Sequence, residues 1–371
     1  MRPLGTALVG LGKVAETHAD ALASLPASRF VAVCDSDPDR GAAFAEKYGV
    51  RQYQRLDDLL GDAEVESVNV CTPHPTHAGI AVRAARAGRH VLVEKPMAIR
   101  LSDCDAMIGA AAAGGVKLGV ISQRRLYEPV VRVRDAIAEG RIGQPALGTL
   151  MVLGWRSEDY YRLDPWRGTW AGEGGGVLVT QVTHHLDLFQ WLMGPVAELF
   201  GYWANLAHPS IEVDDTAVAV LRFASGALGS IVASNCQNPG LFGRIHVHGS
   251  SGASVGVQVE SGSAFISGVT SAVEPPINDI WTIPGEEGLL DGWQLQDRER
   301  AEQVDIMRVY HRRQIEDFLS AIVEDRPPLV SGEEGRKSVE LFTAIYRSQR
   351  TRAPVRFPLT PEPLDDPLSL P

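Results

Sequence analysis

Two side chains in this sequence have both the chemistry to move a proton at neutral pH and a setting that suggests it. They are Lys95, in Glu94-Lys95-Pro96, and His184, downstream of Gly174-Gly175-Gly176. A lysine partly desolvated beside a cationic ring has a lowered pKa, so it can take a proton from a hydroxyl. A histidine needs no such help. Taken singly, a lysine is usually a solvated surface charge and a helical histidine a structural one. A third motif changes both readings: Gly10-Leu11-Gly12-Lys13-Val14-Ala15 is a seat for a dinucleotide pyrophosphate. Together the three imply a nicotinamide-dependent oxidoreductase acting on a polyol or sugar.

The glycine motif lies between a strand over 6–9 and a helix over 13–25. Gly10 permits the tight turn, Gly12 the close approach of a phosphate, and Ala15 the packing of helix on strand. Lys13 and Val14 share the turn, and the phosphates sit at the helix N-terminus. Asp35 ends the strand over 30–34, where an acid binds ribose hydroxyls and repels a 2′-phosphate. NAD is therefore the expected cofactor, and Arg40, one turn into the next helix, leaves NADP open. Cys71-Thr72-Pro73-His74 ends the strand over 67–71. Thr72 and Pro73 would border the nicotinamide, with His74 or His77 near the ribose or diphosphate; each histidine reads equally well as a helix-start residue. Glu94 and Lys95 complete the expected cofactor set, and Lys95–Pro96 is expected to be cis.

The substrate candidates lie further on. A single helix over 177–192 would put Thr180 and His184 on one face and Gln181 and His185 on the next. Tyr160, Tyr161, Trp166 and Trp170, interleaved with Arg156, Asp164 and Arg167, suit either sugar stacking or a core edge. From these, Arg124, Tyr160, Trp166, Arg167, Thr180, Gln181, His184 and His185 are assigned to substrate. No metal is expected: His184 and His185 are adjacent and face apart, and Asp187 has no second ligand run. His246 and His248 read as sheet-surface residues.

These residues must be positioned by more than one core, because 371 residues exceed the usual single-core size. Up to about residue 125, strands alternate with helices over 38–48, 76–87 and 102–113, the pattern of a doubly wound parallel sheet. After a helix over 129–139, strands over 146–155, 215–223, 228–234, 244–248 and 254–259 follow with few helices. That is the pattern of a mostly antiparallel sheet in an α+β domain. Two helices, over 306–324 and 332–348, close the body. The last 18 residues hold six prolines and predict a loose or surface-hugging tail. Domains of 1–125 and 126–371 follow. The net charge of −11 argues against a nucleic-acid partner, which demands clustered basic residues. No apolar run reaches the roughly 20 residues that would span a bilayer. Four cysteines without CxxC spacing suggest reduced thiols in a cytoplasm.

Gly10-x-Gly12-x-x-Ala15, Cys71-Thr72-Pro73 with His77, Glu94-Lys95-Pro96 and Gly174-Gly175-Gly176…His184-x-x-Asp187 together resemble the Gfo/Idh/MocA family over nearly the whole chain. The resemblance implies an N-terminal Rossmann domain and a C-terminal α/β domain with an open sheet whose face builds dimers or tetramers. It also implies catalysis by Lys95 and His184. Many members carry Asp at the position of Thr180. Others carry Asn followed by Gln, and Gln181 matches these, some of which act on sugars or nucleotide sugars. The implied activity is NAD-dependent oxidation of a secondary hydroxyl of a sugar, glycoside or cyclitol. A reductase using NADPH, and a hydrolase or eliminase that retains NAD, stay open. A non-enzymatic sensor would need neither proton carrier.

Overall fold

The structure, a computed structural model, describes residues 2–241, 243–259 and 275–361. The chain forms two compact units, Met1–Gln123 with Ile306–Arg336, and Arg124–Asp305 with Lys337–Pro371.

The first unit holds a six-stranded, all-parallel sheet ordered β3-β2-β1-β4-β5-β6. Its strands are β1 (Leu4–Val9), β2 (Ser28–Cys34), β3 (Arg51–Tyr53), β4 (Ser67–Val70), β5 (His90–Val93) and β6 (Leu118–Val120). Between them run α1 (Ala15–Ser24), α2 (Pro38–Tyr48), α3 (Leu56–Leu60), α4 (His77–Arg86) and α5 (Leu101–Gly114). Helix α2 shows why these segments fold locally: Asp37 caps its Asp39 and Arg40 N–H groups, Pro38 opens it, and Gly49 ends it at a φ of +66°. Strand β3 and helix α3 were too short to register as periodic segments.

The units divide at Gln123/Arg124, close to the expected residue 125, but not all of the chain beyond that point belongs to the second unit. After the second unit the chain returns to the first. Ile315, Phe318 and Leu319 join Leu8, Leu22, Leu92 and Ile121 in one buried cluster. Gln314 donates to Val120 O and accepts from Ser122 N–H, each at 2.8 Å. Sequence periodicity identified that helix, but no local signal says which sheet it covers.

The second unit is built on a seven-stranded sheet ordered β12-β11-β7-β10-β9-β8-β13. The strands are β7 (Pro145–Leu153), β8 (Val196–Ala204), β9 (Thr216–Phe223), β10 (Leu228–Ser234), β11 (Gly243–Gly249), β12 (Ser254–Val259) and β13 (Val355–Arg356). All described pairings are antiparallel except β7 with β10. Strand β8 escaped the sequence reading, since Gly201 and polar residues interrupt its apolar pattern. The helices with the second unit are α6 (Glu128–Ala138), α7 (Glu158–Arg162), α8 (Trp170–Glu173), α9 (Val177–Thr180), α10 (Thr183–Met193) and α11 (Leu289–Gln303). Helix α12 (Ile306–Val323) is the one that returns to the first unit, and α13 (Gly332–Thr351) follows. The tail is not loose through residue 361. β13 pairs with β8, and Val355 and Leu359 are buried at 8% and 4% exposure. The prolines from 363 onward lie outside the described residues.

Candidate active site

Gly10, Asp35, Thr72 and Lys95 follow β1, β2, β4 and β5, four neighbouring parallel strands, and so share one edge of the first sheet. Ligands of open parallel sheets sit along that edge. Gly10 has a φ of +86°, and a Cβ there would lie 2.5 Å from Thr72 Cγ2 and 2.8 Å from Thr72 N. The fold itself demands this glycine. A Cβ on Gly12 would meet nothing within 4 Å. The fold does not demand that one, whereas a close-lying pyrophosphate would. Lys13 is exposed and Val14 half-buried at the head of α1. Asp35 Oδ2 accepts the Leu11 N–H at 2.8 Å and Oδ1 the Asp37 N–H at 2.9 Å. The acid thus ties β2 to the glycine loop, and a carboxylate with about four acceptor sites can also take ribose hydroxyls. Arg40 is engaged by acids, 3.6 Å from Asp35 and 3.2 Å from Asp37. These residues fit a nicotinamide dinucleotide.

Beyond β4, Thr72 and His74 are half-buried and Pro73 is exposed. Two residues assigned to the cofactor turn inward instead. His77 is fully buried, its ring nitrogens 2.9 Å from Pro96 O and 2.8 Å from Thr72 O. A neutral ring donates to one of the two, and burial lowers the pKa of His77. It is a strut between the loops that follow β4 and β5. Glu94 is 7% exposed, with Oε1 2.9 Å from His18 Nε2 and 3.4 Å from His311 Nε2. Lys95–Pro96 is cis, as the sequence suggested, and Lys95 is half-buried.

In the second unit, the segment over 168–187 is anchored by residues that carry no motif. Asp214 Oδ1 accepts the Gly176 N–H at 2.7 Å and the Tyr346 hydroxyl at 2.6 Å, and Oδ2 the Leu178 N–H at 3.1 Å. A Cβ on Gly176 would lie 1.8 Å from Asp214 O, so the glycine run is a close backbone crossing. Burial raises the pKa of Asp214 against those three bonds. The paired acids Asp214-Asp215 ahead of β9 were the available signal.

The single helix over 177–192 is two. The Val182 N–H reaches back five residues to Val177 O at 3.0 Å, and Thr183 Oγ1 bonds Val179 O. This widened turn separates α9 from α10, so the expected helical facing of Thr180 with His184 does not hold. Thr180 Oγ1 donates to Gly176 O at 2.8 Å, Gln181 is 8% exposed, and His184 lies in the first turn of α10. His185 is fully buried: a Cβ on Gly243 would lie 2.3 Å from its Nε2. Arg124 Nη1 lies 3.2 Å from His185 Nε2, so the two are interior supports and not a substrate face. Arg125 grips Asp187 bidentately at 2.8 and 2.6 Å, which ties α10 to the start of this unit.

The aromatic segment is a core edge. Tyr160 and Tyr161 cluster with Ile211 and Val213. Arg167 donates to Tyr160 Oη at 2.7 Å and to Asp164 at 2.9 Å, with Trp166 4.5 Å from its guanidinium. Tyr160 and Arg167 are therefore bound to each other. Half-buried Trp166 keeps partial access to solvent. His246 and His248 are half-buried on β11, bonded to Asp279 and Ser254 at 2.8 Å each.

Residues 4–122 match an oxidoreductase family with an NAD-binding Rossmann fold, and residues 130–255 match the GFO/IDH/MocA C-terminal domain. The chain is 28% identical to myo-inositol 2-dehydrogenase of Thermotoga maritima, over 94% of this chain and 97% of that one. It is 27% identical to 1,5-anhydro-D-fructose reductase of Ensifer adhaerens, over 93% and 96%. The WlbA dehydrogenase of Bordetella pertussis, solved with NADH and UDP-GlcNAcA, superposes with a TM-score of 0.83 at 31% identity, covering 97% of this chain and all of that one. With a glycine loop, an acid at the end of β2, a lysine at the ligand edge of β5 and both domain matches, this chain belongs to the Gfo/Idh/MocA family of NAD-binding oxidoreductases.

Proposed function

We propose that the protein oxidises a secondary hydroxyl of a sugar, nucleotide-linked sugar, glycoside or cyclitol, with NAD as acceptor. The observation that supports this most is Lys95. It sits half-buried on the same sheet edge as the glycine loop, in a turn held by His77 and Glu94. The bound nicotinamide supplies the hydride acceptor. Lys95 accepts the hydroxyl proton, directly or through one water, and His184 orients the hydroxyl. Gly10 and Gly12 admit the pyrophosphate, and Asp35 holds the adenosine ribose. Thr180 carries no charge, so it cannot serve as a carboxylate base, which leaves Lys95 as the proton acceptor beside His184. Inositol and UDP-sugar relatives both support a polyhydroxylated substrate.

Reduced-nicotinamide absorbance, followed with inositols, aldoses, anhydrosugars, glycosides and nucleotide sugars, tests this. Signal is expected with one class and NAD, and Lys95→Ala should lose turnover by about 100-fold or more with NADH affinity within about threefold. Full activity in that variant would sink the role of Lys95. Glycoside cleavage without net NADH would identify the NAD-retaining alternative.

We also propose that the protein works as a homo-oligomer, supported by exposed Tyr202, Val218 and Val220 on the sheet of the second unit. Buried, unpaired Cys34, Cys71 and Cys104 fit a cytoplasmic setting.

A further inference from the structure

Asp35 is the acid placed at the adenosine ribose, yet it is not the only charge at the end of β2. The chain there runs Asp35-Ser36-Asp37-Pro38-Asp39-Arg40, three acids and one guanidinium in six residues. Asp35 is fixed. Its side chain is 8% exposed, and its oxygens accept the Leu11 and Asp37 N–H groups at 2.8 and 2.9 Å. Arg40 has room to move, with 48% of its side chain exposed. Its Nη1 lies 3.6 Å from Asp35 Oδ2, so the guanidinium stands beside the residue that would hold the ribose. A guanidinium in that place is what a 2′-phosphate needs.

Asp37 takes this group for itself. Its Oδ1 accepts the Asp39 and Arg40 backbone N–H groups at 3.1 Å each, which caps α2. Its Oδ2 accepts from Arg40 Nη2 at 3.2 Å. One oxygen thus serves the helix and the other the guanidinium. An incoming 2′-phosphate must draw Arg40 away from Asp37 and then lie near a carboxylate left without its counter-ion. Both steps disfavour NADP. The ribose hydroxyls of NAD carry no charge and require neither.

We propose that Asp37, two residues beyond the ribose acid, is a second determinant of NAD preference, because it withholds Arg40 from a 2′-phosphate. Asp35 supplies the rest of the preference. The inference rests on the reading of Asp35 as the acid that holds the adenosine ribose.

The two duties of Asp37 can be separated by substitution. Asp37→Asn keeps the capping oxygen, since Asn caps a helix about as well as Asp, and puts an amide N–H donor where the oxygen held Arg40. Fluorescence titration of the full chain with NADH and with NADPH, at one low salt concentration, reads the result without substrate. The parent should bind NADH more tightly than NADPH. Asp37→Asn should raise NADPH affinity about tenfold and leave NADH affinity within about threefold of the parent. In the Arg40→Gln background the same substitution should raise NADPH affinity only about threefold or less, because only a repelling charge is then lost. Asp37→Ser, a second uncharged capping residue, should act as Asp37→Asn does, and melting curves confirm that each variant folds. Equal gains in NADPH affinity with and without Arg40 overturn the proposal. So does an unchanged NADPH affinity in folded Asp37→Asn and Asp37→Ser, or a parent that prefers NADPH. These outcomes leave the oxidation of a hydroxyl by a bound nicotinamide standing. A parent that binds neither dinucleotide defeats the proposed function and this inference together.

Discussion

At the scale of single residues, the two glycines of the cofactor loop make different demands. Gly10→Ala puts a methyl against Thr72 in a left-handed backbone, a strain of about 1–3 kcal/mol. Gly12→Ala meets no protein atom. The expected outcome is a lower melting temperature for Gly10→Ala and stability within about 0.5 kcal/mol of the parent for Gly12→Ala. Both should bind NADH about tenfold or more weakly. Thermal melts beside NADH fluorescence titrations check this; undiminished NADH affinity in Gly12→Ala would remove the loop from the cofactor site. The sequence showed which residue types cluster in motifs, but not which way each one points. Glu94 and His77 belong to the motifs and face the interior, because their partners His18, His311 and the Pro96 carbonyl come from other elements. Tyr160 and Arg167 read as sugar-binding residues because aromatics and guanidinium groups serve both stacking and packing; their mutual bond decides for packing.

At the scale of elements, the parallel sheet was legible because β1, β4, β5 and β6 are short, mostly buried runs and α2 carries its own start and stop residues. What stayed hidden depends on distant partners: β8, the return of α12, and the break between α9 and α10. The segment over 168–176 shows how such an element is held. Gly168 N–H donates to Glu173 Oε2 at 2.7 Å, and Thr169 Oγ1 accepts the Gly172 N–H at 3.0 Å. Burial raises Glu173 from 4.5 to about 7, outweighing the Gly168 bond and the Arg167 charge. A carboxyl raised in the folded state binds more protons there than in the unfolded chain. Its contribution to stability is therefore complete below about pH 4.5 and lost as pH rises through about 7. The full span is worth about 3 kcal/mol. Glu173→Gln keeps the acceptor and removes the titration. Relative to the parent, this variant should gain stability as pH goes from 5 to 8, about 3 kcal/mol at most. Denaturant melts of both proteins across that range decide it; parallel curves would show that Glu173 is ionised in the fold at all these pH values.

At the scale of the whole molecule, the question is what covers the outer face of the second sheet. Tyr202 is 66% exposed, Val218 45%, Val220 60% and Leu228 51%. Tyr202 pairs with Val218 and Val220 with Phe200, so these side chains form a continuous patch and not scattered singles. Strand β9 alternates buried and exposed positions, yet Val218 and Val220 occupy exposed ones, where an antiparallel sheet facing water would carry polar residues. A net charge of −11 opposes association, so an apolar patch that holds copies together must outweigh that repulsion. Self-association should therefore strengthen with salt, which screens the charge and leaves the apolar term in place. Light scattering should find a dimer or tetramer at micromolar concentration, shifted toward monomer by Val220→Lys, with a melting midpoint that becomes independent of protein concentration. A monomeric parent protein at high salt would mean that this face meets some other partner. Comparing turnover per chain of the Val220→Lys monomer with the parent would then show whether assembly serves catalysis or only stability, because the substituted residue lies on the sheet face and not among the residues assigned to substrate or cofactor.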